Sequence, residues 1–168
     1  DLRNISGLLN CDKIYESLLS ELSISDMDKN MDSAQYGNRK GKSMNHYLIK
    51  MIERILLAVD NNSRKETVAV IGSLIDWSKA FPRQNPKLGL ESFLKNGVRP
   101  AIIPVLTSFF QNRKMTVKWH GCLSTKRDLN GGGPAGSTIG LLEYLSQSNN
   151  SADVVNPEDR FKFVDDLT

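Results

Sequence analysis

The stretch TVAVIGSLID, residues 67–76, limits what this chain can fold into more than any other. It is β-branched or apolar at successive positions, so both faces of an extended segment here are apolar, and it closes on the carboxylate of Asp76. Such a run predicts a central, well-covered strand, because a half-exposed strand alternates instead. A second segment, RFKFV at 160–164, does alternate, and it runs straight into Asp165 and Asp166. Period two puts Asp165 on the face of Phe161 and Phe163, where an ionised group is costly unless paired. Two strands that each end in a carboxylate therefore call for a counter-charge.

The intervening segments are mostly helical. NCDKIYESLLSEL (10–22) predicts a helix capped by Asn10, with Ile14, Tyr15, Leu18, Leu19 and Leu22 on its apolar face. SISDMDKNMDSAQYGNRKGKS (23–43) reads as a polar connector. A helix over 43–60 follows, with Ser43 as N-cap and Met44, Tyr47, Leu48, Met51, Ile52, Ile55 and Val59 as its stripe. KLGLESFLKNG (87–97) is helical and ends at Gly97; PAIIPVLTSFFQN (100–112) is a helix opened by Pro100. KMTVKWHG (114–121) alternates and forms a hairpin with CLSTKRDL, turning near Gly121 and placing Trp119 in the core, with stacking on nucleic acid as the lesser alternative. The glycine-rich NGGGPAGSTIG (130–140) leads into a short helix, LLEYLSQ. Helices and strands mix without βαβ alternation, so the fold class is α+β.

Composition narrows the function classes. The chain of 168 residues suits one domain or subdomain, and 39% hydrophobic with 24% charged residues is ordinary for a globular protein. No apolar run reaches the roughly 18 residues of a membrane span, so no membrane partner is expected. Cys11 and Cys122 match no metal or disulfide spacing and read as reduced thiols of an intracellular protein, in cytoplasm or nucleus. The start, DLRNISGLL, has neither an initiator Met nor a signal pattern, and the chain is expected to be part of something longer. A net charge of +3 and a pI near 8.9 permit a nucleic-acid partner without requiring one.

Several local patterns lead nowhere. DMDKNMD (26–32) sets Asp26, Asp28 and Asn30 at calcium-loop spacing, but Met31 and Gly37 stand where that loop needs Gly and Glu. GGGPAGS lacks the Lys-Ser/Thr of a phosphate cradle. His46 and His120 have no ligand partner at a telling spacing and read as surface groups. The N-x-S triplets at Asn4, Asn61 and Asn149 read as chance matches. Three segments stand out together, Asp76, the 130–140 loop and Asp165–Asp166, although singly they read as a turn or cap residue, a plain loop and a solvated turn. Two strands presenting carboxylates at a shared edge make an oxygen-donor site suited to Mg²⁺.

The order of segments then resembles a family. QYGNRKGKS (35–43), LIDWSKAFPRQ (74–84), NGGGPAGSTIG (130–140) and FVDDL (163–167) follow one another as the reverse-transcriptase motifs do, and the chain resembles the reverse-transcriptase domain of non-LTR retrotransposons in particular. DLRNISGLLNCDKIYESLL is similar to that group's opening segment and its following helix. The resemblance implies a polymerase right-hand fingers–palm core without a thumb. Residues 1–66 would be fingers-like. Residues 67–168 would be a palm with motifs A (74–84), B (130–140) and C (163–167), its antiparallel sheet backed by helices 87–97, 100–112 and 138–147. It implies metal binding by Asp76, Asp165 and the Trp77 carbonyl, with Asp166 as the further catalytic aspartate. It places Phe81 as a steric gate under the sugar, Gly136 and Ser137 near the incoming nucleotide, and Arg3, Arg39 and Lys40 at phosphates. For Arg39 and Lys40 a solvated basic face is the equal alternative. The cofactor would be two Mg²⁺ ions, with Mn²⁺ as substitute. The partners would be an RNA template, a DNA primer, dNTPs and the rest of a retroelement polyprotein, thumb and endonuclease included. The sequence departs from the family at Ala135, where a Gln is usual; Ala cannot supply the amide's hydrogen bonds. The first motif reads Phe-Pro at 81–82 where Phe-Asp is usual, and no Pro follows Arg3. Two alternatives stand beside this reading: an RNA-dependent RNA polymerase palm, which Phe81 disfavours, and a catalytically dead nucleic-acid-binding domain.

Overall fold

The structure, a computed structural model, describes residues 7–62 and 69–168. In chain order the elements are α1 (Asn10–Met27), α2 (Met44–Asn62), β1 (Ile75–Asp76), α3 (Pro86–Lys95), α4 (Ile103–Phe110), β2 (Lys114–Met115), β3 (Lys118–Trp119), β4 (Cys122–Leu123), β5 (Arg127–Asp128), α5 (Thr138–Gln147), β6 (Lys162–Phe163) and β7 (Asp166–Leu167). Helices are thus mixed with small antiparallel sheets. The elements gather into two units, Asp1–Asn30 with Lys79–Gln147 and Met31–Ser78 with Ser148–Thr168. The expected fingers–palm border at 66/67 lies outside the described residues.

In the first unit α5 is the central piece. It is apolar around most of its circumference and buries Ile139, Leu142, Tyr144 and Leu145 between α1 and α3. Phe93, Val98, Ile102, Leu106 and Phe110 complete the core from α3, α4 and the turn before α4. Local signals set the ends of α3. The Asn85 side chain accepts from the Lys87 amide at 3.1 Å, and Pro86 opens the helix. At the other end Gly97 adopts φ 94°; its amide donates to the Leu94 carbonyl at 3.1 Å and that of Val98 to Phe93 at 2.9 Å. Gly97 therefore stops the helix as its sequence position predicts.

α1 differs from the sequence reading. It continues to Met27, and its buried residues are Glu16, Leu19, Ser20, Ser23 and Met27. Ile14, Tyr15 and Leu18 of the expected core face are exposed. The small serines let α1 approach α5, and Glu16 has a specific partner there, described below. At the end of α1, Asp26 receives the Arg99 guanidinium at 2.7 and 2.5 Å, and these bonds hold its carboxyl down at about 2. Trp119 is also misplaced by the sequence reading: it is 61% exposed on a hairpin rather than in the core.

The second unit is built on a three-stranded antiparallel sheet in the order β1-β7-β6. Its register pairs Ile75 with Leu167, Asp76 with Asp166, Phe163 with Asp166 and Lys162 with Leu167. Here two strand expectations are corrected. Of 69–76 only Ile75–Asp76 is strand, and it lies at the sheet edge, with Ile71 and Leu74 exposed. A single ladder partner, β7, leaves its other side unpaired among the described residues. The final strand does not carry on into the aspartates either. It ends at Phe163, turns through Val164–Asp165 and returns as β7. Ser43 caps α2 as expected, accepting from the His46 amide at 3.4 Å, but of the expected stripe only Tyr47 is buried. The helices expected behind the sheet belong to the first unit, whereas the sheet belongs to the second.

Candidate functional site

Two of the expected carboxylates stand opposite one another at one end of the second unit's sheet. Asp76 closes β1, Asp166 opens β7, and the two are direct cross-strand partners. Side chains opposite one another in an antiparallel pair share a face, their Cβ atoms about 5 Å apart. Asp165 occupies the adjoining two-residue turn, half-buried, so period two does not govern its direction. The other turn residue, Val164, has φ 60°, a conformation that costs a β-branched residue about 1–3 kcal/mol and persists only where neighbours enforce it.

The enforcement comes from residues 34–37. This segment lies parallel beside β6: the Tyr36 amide donates to the Lys162 carbonyl at 2.8 Å and the Lys162 amide to Ala34 at 2.9 Å. Gln35 is buried there, and its Oε1 accepts from the amides of Gly37 at 2.9 Å and Val164 at 3.1 Å. Any Cβ at Gly37 would come within 2.6 Å of the Val164 nitrogen, so only glycine permits this approach.

Each face of the hairpin is gripped separately. On one, Phe161 and Phe163 meet the Tyr47 ring edge-on at 6.2 and 6.0 Å, and the Tyr47 hydroxyl bonds Thr168 Oγ1 at 2.7 Å. On the other, Arg160 and Lys162 converge on Asp32. Lys162 Nζ lies 2.6 Å from Asp32 Oδ2, and Arg160 donates to both carboxylate oxygens at 3.1 and 3.2 Å. Burial alone would raise the Asp32 carboxyl; Lys162, Arg160 and the Ala34 amide outweigh it and hold the group below its usual range. The RFKF alternation thus separates an aromatic face from a buried ionic one.

Among the described residues, no hydrogen bond or ion pair engages the side chains of Asp76, Asp165 or Asp166. Trp77, exposed, follows Asp76 directly, so its carbonyl leaves the strand at the same end. Asp76 and Asp166 are exposed and Asp165 half-buried; like charges facing one another across a ladder are what a divalent cation relieves, and carboxylates are the hard oxygen donors Mg²⁺ prefers. The donor type suits that ion, but no set of three or more His, Cys, Asp or Glu side chains is grouped for a metal among the described residues.

The 130–140 loop is built in the first unit. The Gly132 amide donates to the Gln84 carbonyl at 2.9 Å and the Gly133 amide to Phe81 at 2.8 Å. The half-buried Phe81 ring lies 5.7 Å from that of Tyr144. Pro134–Ser137 is a β-turn closed by the Ser137 amide on the Pro134 carbonyl at 3.0 Å, with Gly136 at φ 92° in the position that demands a positive angle. Half-buried Ala135 sits inside this turn. Ser137 is buried; its hydroxyl accepts from the Gly140 amide at 3.0 Å and donates to Glu16 Oε1, which also accepts from the Ile139 amide at 2.9 Å. Glu16 thereby satisfies the start of α5 and fixes the loop before it.

Phe81, Gly136 and Ser137 thus share the first unit, and Asp76, Trp77, Asp165 and Asp166 the second. Arg39 is tied into its own loop, donating to the Asp32 carbonyl at 3.0 Å, while Lys40 is exposed. Arg3 and the Asn4 triplet lie outside the described residues, as does the end of the Asn61 triplet. Sequence reasoning missed Gln35, Asp32, Arg160 and Lys162 as supports of the turn, and Glu16 as support of the loop. For Glu16 a signal existed: Glu16, Ser20 and Ser23 recur at helical spacing beside Leu19. Gln35 opens the segment QYGNRKGKS, but nothing local marks its hold on the turn, because Val164 is far away in sequence.

Among the described residues no helix is long and apolar enough to cross a membrane. No family model matches the chain. The chain is 28% identical, over 149 residues, to a protein of Drosophila melanogaster described as a probable RNA-directed DNA polymerase from transposon X-element. The match covers 88% of this chain and 16% of that relative's length.

Proposed function

We propose that this chain is the fingers–palm part of a retroelement RNA-directed DNA polymerase, which adds dNTPs to a primer 3′-hydroxyl along an RNA template. The observation that carries the reading is the register of the second unit's sheet, with Asp76 opposite Asp166 and Asp165 in the adjoining turn. The similarity to a transposon polymerase supports it from an independent direction.

In this reading Asp76, Asp165 and the Trp77 carbonyl hold Mg²⁺, with Asp166 alongside. Bound there, two ions supply an activated 3′-hydroxyl and a neutralised pyrophosphate leaving group. The chain's own residues do the rest. The Gln35–Gly37 clamp and the two-sided grip on β6 keep the carboxylates in place before substrate arrives. Phe81 closes the sugar site to a 2′-hydroxyl. Gly136 and Ser137, fixed through Glu16, position the nucleotide, and Lys40, Arg39 and Arg3 meet phosphates. Thumb, endonuclease and duplex grip come from the remainder of the polyprotein.

The test is primer extension on an RNA template with Mg²⁺, run on the protein that carries this chain. Asp165→Asn is expected to abolish extension and leave template binding intact; undiminished extension overturns the metal assignment. Phe81→Ala is expected to admit ribonucleotides. Preference of the unmodified protein for NTPs over dNTPs would instead identify an RNA polymerase.

A further inference from the structure

Residues 114–128 form an arm of the first unit. Lys114 pairs with Asp128 and Met115 with Arg127; beyond them Lys118 pairs with Leu123 and Trp119 with Cys122. The tip is His120–Gly121, with φ 45° and 81°, the positive pair that a tight two-residue hairpin turn requires. Between the ladders the returning strand carries one residue more, Ser124, Thr125 and Lys126 against Thr116 and Val117. This bulge is stapled by Ser124, whose amide donates to the Val117 carbonyl at 2.9 Å and whose Oγ accepts from the Val117 amide at 3.0 Å. The base is anchored as well: Arg113 donates to the carbonyls of Gly131 and Gly132, and the Leu129 amide to Arg113 at 2.8 Å.

Tip, bulge and base are thus specified, yet nothing described covers what lies between. Every residue from Thr116 to Asp128 is exposed. Trp119 therefore contributes nothing to the core, although a ring of that size is a strong contact surface. The arm's charge is one-sided. Asp128 is its one acid and lies 3.6 Å from Lys114. Lys118, Lys126 and Arg127 have no ion pair among the described residues. An arm that carries three unneutralised cations and an exposed indole, with Lys118 and Trp119 on opposite faces of its outer ladder, suits neither an apolar protein surface nor an acyl layer. It matches a polyanion whose bases are free to stack. That is a single strand rather than a duplex, because paired bases offer a side chain no open face.

We propose that the 114–128 hairpin is a docking arm for single-stranded nucleic acid, with a base stacked on Trp119 and phosphates on Lys118, Lys126 and Arg127. The polymerase reading makes that strand the template; the docking itself does not depend on it.

The experiment measures anisotropy of labelled oligo(U), oligo(dT) and a mixed-sequence duplex with the full chain over a range of salt. Trp119→Ala should weaken single-strand binding roughly tenfold and Trp119→Tyr should restore most of it. Replacing Lys118, Lys126 and Arg127 together by Gln should flatten the log–log salt slope by about 2. Indole quenching on binding should survive Trp77→Phe and vanish in Trp119→Ala. None of these side chains is in the core, so an unchanged melting temperature certifies the variants. Unchanged affinity in both the Trp119→Ala and the triple variant, or duplex bound as tightly as single strand, overturns the proposal. The oligo(U) and oligo(dT) arms tell an RNA from a DNA strand. Asp165→Asn in the extension assay separates the two ideas. Metal-dependent extension indifferent to the arm defeats the arm alone; arm-dependent binding without extension defeats the polymerase reading alone.

Discussion

Glu143 has no solvent exposure, and its carboxyl packs so tightly on α3 that a Cβ at Gly89 would meet its Oε1 at 2.6 Å. One oxygen accepts from Gln147 at 3.1 Å; the other has no partner. Burial pushes this carboxyl up to about 7, against a weaker opposing pull from Arg113 and Gln147. Because the folded value lies above the unfolded one, the native state holds the proton longer. Stability is then greatest below the unfolded value near 4.5 and falls as pH rises towards 7. A shift of that size corresponds to about 3 kcal/mol. Glu143→Gln keeps the shape and the Gln147 bond and removes the charge. It is expected to raise stability at neutral pH by about 2 kcal/mol. Denaturant melts at pH 5 and pH 8 would show the gap between the two proteins at the higher value only. Gly37 gives the converse case: Gly37→Ala forces a methyl against the Val164 nitrogen and is expected to cost about 2 kcal/mol, read as a lower denaturation midpoint. Gly37 stands out in the sequence only as part of QYGNRKGKS, whereas Glu143 in LLEYLSQ looks like an ordinary surface residue of a short helix. Its burial follows from α5 being covered by both α1 and α3, which periodicity within one helix does not reveal.

At the level of elements, the hairpin of β6 and β7 shows what the sequence carries and what it does not. The alternation in RFKF separates Phe161 and Phe163 from Arg160 and Lys162, and the structure places the two pairs in different surroundings. The turn was not legible. A valine at φ 60° goes against local preference, and the distant Gln35 and Gly37 override it. The apolar run before Asp76 misleads in another way: its β-branched content signals a strand, but one ladder neighbour makes it a short edge. The helices at 86–95, 103–110 and 138–147 were legible because caps and prolines mark them locally. The ionic face yields a test. Asp32→Asn leaves Arg160 and Lys162 buried without a counter-charge, at a cost of about 3–5 kcal/mol. The depressed Asp32 carboxyl also gives a pH sign opposite to that of Glu143. Its contribution is complete above the unfolded value near 3.8 and is lost as pH falls through the folded one. Acid unfolding of the unmodified chain should therefore include a component that Asp32→Asn lacks, visible as a shallower loss of stability below pH 4.

On the scale of the whole molecule, the chain passes between its two units three times, after Asn30, Ser78 and Gln147. The segment 74–84 is divided by one of these crossings, leaving Asp76 in one unit and Phe81 in the other, so a linear reading of the sequence does not reveal which residues share a core. Asp76, Asp165 and Asp166 of the second unit have no ion pair among the described residues, and this has a consequence for stability. A cation that binds only the folded sheet stabilises it by mass action, by about 2.7 kcal/mol at a hundredfold excess over its dissociation constant. Adding Mg²⁺ or Mn²⁺ should slow hydrogen exchange at the amides of Ile75–Asp76 and Lys162–Leu167. The amides of α3 and α5, which carry none of the proposed metal ligands, serve as the internal reference. In Asp76→Asn the protection should be lost. The same replacement removes one of the mutually repelling charges, so without metal the variant should be at least as stable as the parent. This pairing of signs distinguishes a metal site from a structural carboxylate. If Asp76 instead served as a cap or turn residue, its replacement would destabilise the sheet at every metal concentration, and added Mg²⁺ would leave exchange at these amides unchanged.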